Sequence, residues 1–326
     1  MIEHNKNRIQ QSLSQQVDQL IQEQKSNWDL ARENYAGLEK VESKSFQFDG
    51  FKINAQFNPE RIRSSGAKLD AQTISQRPCF LCEANRSEIQ RGIDFHGKYS
   101  ILVNPYPIFQ KHLTIPLNEH TPQRIENYFA DLLQLSKELP DFTIFYNGPK
   151  CGASAPDHFH FQAADKTGMP IYKELAQIIH GFGRNLFHDE TTDIQAVGDD
   201  YLRKFILLSS TSETKVKGHF QILLDILKER GQEGEPMMNI LANYEKGTWR
   251  VIVFPRDKQR PSQFFEDGDK QVIMSPAAVE FGGVAILPRK EDFDKLTATD
   301  LEDIFRQVTI NDQDFVELKE KLKKHL

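Results

Sequence analysis

Hydrophobic and polar positions along this chain follow two rhythms, and the switches between them outline its elements. Within residues 1–40, Leu13, Val17, Leu20, Ile21, Trp28 and Leu30 recur at helical spacing among Gln and charged residues, with Asp18 and Glu23 narrowing the stripe. That predicts a helix packed by one side only. From about Ser45 the period drops to two: Phe46 and Phe48, then Phe51, Ile53 and Phe57, flank Asp49-Gly50, a hairpin signature. Residues 58–78 carry Arg61, Arg63, Lys68 and Arg77 among Ser, Gly and Asn, which reads as a loop with concentrated positive charge. Strands are predicted at Tyr99–Val103 and His112–Pro116, on either side of NPYPIFQK. Thr121-Pro122 reads as an N-cap with Pro at the first helical position, and Ile125, Tyr128, Phe129, Leu132, Leu133 and Leu135 continue along one face until Pro140. Short strands follow at 142–146 and 158–163, separated by the loop NGPKCGASAPD.

The later residues repeat this order loosely. Residues 238–244 and 248–255 predict a hairpin, 282–288 a strand ending in Pro, and Thr297 with Asp300 a capped helix whose Leu301, Ile304, Phe305 and Val308 share a face. Aligning HLTIPLNEHTPQRIENYFADLL with VAILPRKEDFDKLTATDLEDIF gives a degenerate duplication whose second copy lacks a His-x-His element. The expected fold class is α+β: tandem halves of antiparallel sheet with helices packed on one face. The expected organisation is an N-terminal helical segment over 1–44, a catalytic half over 45–170, and a degenerate half over 171–326 that closes with a short basic helix.

Composition narrows the function classes. No run in the 326 residues approaches the roughly 18–20 apolar residues of a membrane span, and the polar N-terminus has no apolar stretch of the secretory kind, so no membrane partner is expected. Lys plus Arg total 41 against 47 Asp plus Glu, a net charge of −6 with no long basic block, which argues against nucleic acid as a partner. Three cysteines cannot build a disulfide framework and point to a reducing compartment, most simply the cytoplasm.

The chemistry concentrates in His158-Phe-His160-Phe-Gln162. On one strand these three polar residues would share a face, with Phe159 and Phe161 turned into the core, and a one-residue slip would bury the polar set. Cys79 and Cys82 form a C-x-x-C pair, open to reading as half a zinc site or as two packed thiols. A redox pair is disfavoured by Pro78 and by the lack of a βαβ pattern after it.

His158-x-His160-x-Gln162 resembles the active-site strand of the histidine-triad (HIT) superfamily in its transferase branch, where Gln replaces the third His. That branch includes galactose-1-phosphate uridylyltransferase, diadenosine tetraphosphate phosphorylase and the GDP-hexose phosphorylases. Cys79-Phe-Leu-Cys82 with Asn85-Arg86 is similar to the zinc element of the uridylyltransferases. Asn104-Pro-Tyr-Pro-Ile followed by His112-Leu-Thr-Ile-Pro and His120 is similar to the nucleoside-binding loop and strand of HIT proteins. Glu280-Phe-Gly-Gly-Val with Arg289, Asp292-Phe and Leu296-Thr resembles the C-terminal half of the hexose-phosphate enzymes. The likeness covers 58–165 well and 248–308 loosely.

The resemblance implies two HIT-like halves and a nucleotidyltransferase or phosphorylase. Its substrate would be a nucleoside diphosphate sugar or dinucleoside polyphosphate, and its acceptor inorganic phosphate or a sugar phosphate. His160 would attack the α-phosphorus, a neutral imidazole being a good nucleophile near pH 7 when its other nitrogen is held by a backbone carbonyl. Gln162 would donate to a phosphate oxygen without serving as an acid, and Ser154 and Gly152 would cradle phosphate. Ser154 stands one residue farther from His158 than in the uridylyltransferases. A structural zinc would be held by Cys79, Cys82, His120 and His158; His180, His188, His219 and His325 are too scattered for the second metal of those enzymes. Arg61, Lys68, Arg77 and Lys150 are candidate phosphate contacts. Asn104 reads as a ribose ligand or a turn former, Glu280 as a sugar ligand or a surface strand residue, and Cys151 as a space filler. The alternatives are a HIT-type nucleotide hydrolase and a non-catalytic nucleotide-binding module.

Overall fold

A computed structural model describes residues 11–59, 77–198, 200–231 and 233–326; Arg61 and Lys68 lie outside the described residues. Ser12 and Gln15 form a capping box that opens α1 (Leu13–Asn27), which buries Val17, Leu20, Ile21 and Gln24. Trp28 is extended and breaks the expected single helix, so a second, α2 (Asp29–Gly37), begins at once. The hairpin β1 (Glu42–Phe48) and β2 (Phe51–Phe57) turns at Asp49-Gly50, with Gly50 at φ +73°. Next come β3 (Gly92–Phe95), β4 (Tyr99–Val103), β5 (His112–Pro116), α3 (Phe129–Glu138), β6 (Phe142–Asn147) and β7 (His160–Asp165). After α4 (Pro170–Phe182) come β8 (Gly183–His188), β9 (Thr192–Val197), β10 (Phe205–Ser210), α5 (Glu213–Lys228), β11 (Met238–Glu245) and β12 (Thr248–Pro255). The chain closes with α6 (Ala278–Phe281), β13 (Val284–Leu287), α7 (Lys290–Lys295), α8 (Ala298–Val308) and α9 (Asp312–His325).

Ten strands make one antiparallel sheet in the order β3-β4-β5-β7-β6-β11-β12-β10-β9-β8. Read outward from the β6–β11 pair, the two halves have the same order, with β3–β7 answering to β8–β12. Each half places a helix, α3 or α5, between its third and fourth strands. The duplication is real, but its alignment differs from the one read in sequence. The partner of β5-α3 is β10-α5, while β13 pairs parallel with β2 in a separate three-stranded sheet. Strand, Pro, linker and capped helix form a local pattern, and strand partners, which local pattern does not encode, decide kinship here. The counterpart of the His-bearing β7 is β12.

Two further boundaries move. The helix expected from Thr121 starts at Phe129, because residues 121–124 lie irregularly along the chain before β7: Phe159 N–H donates to Thr121 O at 2.6 Å and Gln123 N–H to Pro156 O at 3.0 Å. The strand expected from His158 starts at His160.

Helices α3 and α5 cover one face of the sheet, and Phe129 stacks on Phe220 across the two halves at 3.6 Å between ring centroids. On the other face a row of paired residues runs Gln162, Phe145, Leu241, Ile252, Leu207. It is polar only at β7. In the second half the middle of this face, with Phe205, Leu207, Leu241, Ile252 and Phe254, is apolar and shares a core with α4, α6 and the small sheet. No helix among the described residues is long and apolar enough to cross a membrane.

Because β6–β11 pairing makes one sheet, the halves unfold together. Phe220→Ala is expected to remove about 3–5 kcal/mol of stability and leave a single transition in chemical denaturation; two separated transitions would contradict this.

Candidate functional site

The site begins where β7 begins. His160 is 2% exposed, and its Nδ1–H donates to the His158 carbonyl at 2.9 Å. That bond fixes the tautomer and leaves the Nε2 lone pair toward an open cavity. Burial pushes the His160 pKa down to about 4, so the ring is neutral at ordinary pH. Gln162 follows on the same face. Ile108 N–H donates to His112 Nδ1 at 3.1 Å, which puts the imidazole proton on Nε2; that N–H donates to Gln162 Oε1 at 3.1 Å. The Gln162 amide nitrogen is therefore the end left to face the cavity, as a donor.

His158 does not share this face, since it precedes the strand. Its Nε2–H donates to Leu117 O at 2.8 Å, and its Nδ1 lies 3.2 Å from Cys79 Sγ and 3.5 Å from Cys82 Sγ. His120 Nδ1 lies 3.2 Å from Cys82 Sγ, and all four ligand atoms fall within 4.8 Å of one another. Two thiols and two imidazole nitrogens at this spacing fit a tetrahedral soft-metal site, and the Leu117 carbonyl orients one imidazole as outer partners of such sites do. This group could hold a metal ion; no second such group occurs among the described residues.

The loop after β6 supplies the next wall. Gly152 has φ +97°, and a Cβ there would stand 2.5 Å from Ala277 Cβ, so only glycine fits. Ser154 lines the cavity. Arg77 Nη2 donates to Asp157 Oδ1 at 2.9 Å and reaches Ser154 O at 3.4 Å, while its guanidinium lies 5.0 Å over the Phe80 ring. Arg77 also lines the cavity, and its buried Nη1 has no partner among the described residues. The cavity is about 560 Å³, within the ~300–1,000 Å³ usual for small-molecule sites.

Other expected residues fall as follows. Asn104 lines the cavity, but its side chain is engaged: Oδ1 accepts from Tyr106 N–H and Nδ2 donates to Thr114 Oγ1. Glu280 stands in α6 rather than in a strand, lines the cavity and accepts from Ala277 N–H. Lys150 turns away from the cavity, with Nζ on Glu233 O at 3.2 Å. Cys151 is fully buried, and burial raises its pKa to about 12, as suits a space filler.

Sequence reading missed Trp28 and Arg260 in the cavity wall, and Gln123 and Glu235 behind it. Gln123 was hidden by the helix expected over it. Glu235 carried no signal, because its partners, Tyr146 O–H and Ile125 N–H, come from the other half of the chain.

Comparison with known proteins adds two family matches: residues 20–165 match "Domain of unknown function (DUF4922)" and residues 199–326 match "GDPGP1-like, C-terminal domain". No curated protein matches the chain. Among solved structures, yeast Ap4A phosphorylase Apa2 in complex with Ap4A has a TM-score of 0.60 at 17% identity, over 95% of this chain and 99% of that one. The same yeast enzyme without that ligand gives 0.58 at 17% identity, over 95% and 96%. Its complex with AMP gives 0.56 at 17% identity, over 95% and 99%. The likeness to these structures is one of fold and runs over nearly the whole chain.

Burial raises the Glu235 carboxyl pKa to about 7. A carboxyl raised on folding binds its proton more tightly in the native state, so its contribution is full below the ordinary carboxylate pKa and is lost as pH rises toward 7. Melting temperature should therefore decline over that window, and Glu235→Gln should flatten the decline; an unchanged slope in the variant would contradict the assignment.

Proposed function

We propose that this chain, built on the fold and motifs of the histidine-triad superfamily's transferase branch, is a nucleotidyl-transferring enzyme. It acts on a nucleoside diphosphate sugar or dinucleoside polyphosphate through a covalent nucleotidyl-His160. The observation that carries this reading is the ring of His160: Nδ1–H tied to the His158 carbonyl, Nε2 turned to the cavity beside the Gln162 amide.

In the first step His160 Nε2 attacks the α-phosphorus. A P–N bond forms, the P–O bond to the leaving group breaks, and the leaving phosphate departs with the electron pair. The imidazolium so formed keeps its Nδ1–H on the His158 carbonyl, which stabilises the charge. In the second step an oxygen of inorganic phosphate or a sugar phosphate attacks the same phosphorus, and the P–N electrons return to Nε2. Gln162 donates to a non-bridging oxygen in both steps. Being neutral and non-acidic, it offers the leaving group no proton, which suits phosphate leaving groups and acceptors rather than hydrolysis. Arg77 Nη1, which has no partner among the described residues, Ser154 and the close-packed Gly152 loop provide the phosphate cradle.

Zinc on Cys79, Cys82, His120 and His158 would supply structural cross-linking, tying the C-x-x-C turn to the residue two before the nucleophile. The three cysteines suit a reducing compartment, the cytoplasm. The segments 1–44, 45–170 and 171–326 are read as the units of the chain.

Incubation with nucleotide sugars and dinucleoside polyphosphates should give an acid-labile adduct on His160, absent in His160→Ala, whose mass identifies the base. Turnover should require added phosphate or sugar phosphate; phosphate-independent release of a mononucleotide would make it a hydrolase instead. The purified chain should carry about one zinc per molecule, lost in Cys79→Ala; metal-free protein with native stability would refute the zinc assignment.

A further inference from the structure

The pairing of β6 with β7 stops at Phe145 and Gln162. Beyond that point a side chain takes over. Gln123 Oε1 accepts from His160 N–H at 2.8 Å, and its Nε2 donates to His160 O at 2.9 Å and to Asn147 O at 3.0 Å. Gln123 is 1% exposed, and these three bonds use its acceptor and both amide hydrogens. One amide thus replaces a rung of the ladder. It fixes the peptide groups on both sides of the His160 Cα and bonds them to the end of β6, from which the Gly152–Ser154 loop departs.

The segment carrying Gln123 is itself held. Leu117 N–H donates to Phe159 O, Phe159 N–H to Thr121 O, and Gln123 N–H to Pro156 O. Ile125 N–H donates to Glu235. With the backbone set on both sides, one bond remains to orient the imidazole: Nδ1–H to the carbonyl of His158, two residues back. A regular strand would not bring that carbonyl under the ring, because residues two apart point the same way but their own carbonyls face the neighbouring strand. The irregular backbone before β7, which Gln123 holds, makes the bond possible.

We propose that Gln123 is a positioning residue for the nucleophile: its amide holds the His160 backbone so that the Nδ1–H bond forms and Nε2 stays aimed into the cavity. This rests on the reading of His160 as nucleophile. Gln123 does not itself line the cavity; it acts on the cavity through the backbone of His160 and of Asn147.

The test uses the 326-residue chain as purified and Gln123→Met, which keeps the volume and removes all three bonds. Gln123→Asn, whose amide is one methylene short, serves as the milder variant. The measurements are adduct formation and turnover, affinity for AMP, GMP and UMP titrated singly, zinc content, and folded fraction. The expected result is a loss of about 100-fold in adduct formation and kcat, the scale of an ångström of misalignment, with mononucleotide affinity, zinc content and folded fraction kept. Undiminished turnover in a folded variant overturns the proposal. So does a loss that tracks folded fraction in both variants, which assigns Gln123 to stability alone. Should wild type form no adduct, the His160 reading fails by itself, and side-chain ¹H–¹⁵N spectra still test Gln123. They should show a single Nδ1–H tautomer for His160 in wild type and a mixture in Gln123→Met; identical spectra overturn it.

Discussion

The burial of Phe159 and Phe161 is the constraint on which the rest of the site depends. Both rings are fully buried, packed edge to face with centroids 4.9 Å apart, and Tyr146 packs against both. Burying two such side chains stabilises by about 1.5–3 kcal/mol each, and a one-residue slip of β7 would forfeit both while forcing His160 and Gln162 into hydrocarbon. The core chooses the register, and the register puts two polar side chains on the open face. Chemistry here is inherited from packing.

The duplicated sheet explains why only one half carries that chemistry. Across β6–β11 the same face passes from Gln162 to Leu241, Ile252 and Leu207, and it is closed over. The second half has become a wall instead. Asn239 Nδ2 and Ala278 N–H both donate to Asn147 Oδ1, Ala277 closes on Gly152, and Glu280 and Arg260 line the cavity. The N-terminal helices play a matching part at the other end. Trp28 lines the cavity, Gln24 bonds the backbone of Ile89 and Arg91, and Asn34 bonds Pro105 O.

Much of this was legible in the sequence where a pattern is local. The β1–β2 hairpin follows from Asp49-Gly50, and the β11–β12 hairpin from Lys246-Gly247, with Gly50, Lys246 and Gly247 at positive φ. The Thr297–Asp300 capping box opens α8 as its spacing requires. The outward aim of His160 and Gln162 and the meeting of Cys79, Cys82, His120 and His158 were also readable, the last through resemblance. What was not legible depends on distant partners. Thr121-Pro122 has the chemistry of a helix start, but its backbone is claimed by Phe159. His158 was expected beside His160, yet the pairing that would make it a strand is taken by residues 117–123. Gln123 looked like one polar residue on a helix, and only tertiary contact gives it three bonds. The duplication was visible as a rhythm and misaligned, because strand order cannot be read from spacing.

The central claim is that a nucleotidyl group passes through His160, and the stereochemistry at phosphorus tests it most directly. A substrate made chiral at the α-phosphorus by sulfur substitution is converted, and the configuration of the product is determined. Each in-line displacement inverts phosphorus, so attack by His160 followed by attack of the acceptor predicts net retention. Net inversion would mean a single direct transfer and would contradict the covalent account.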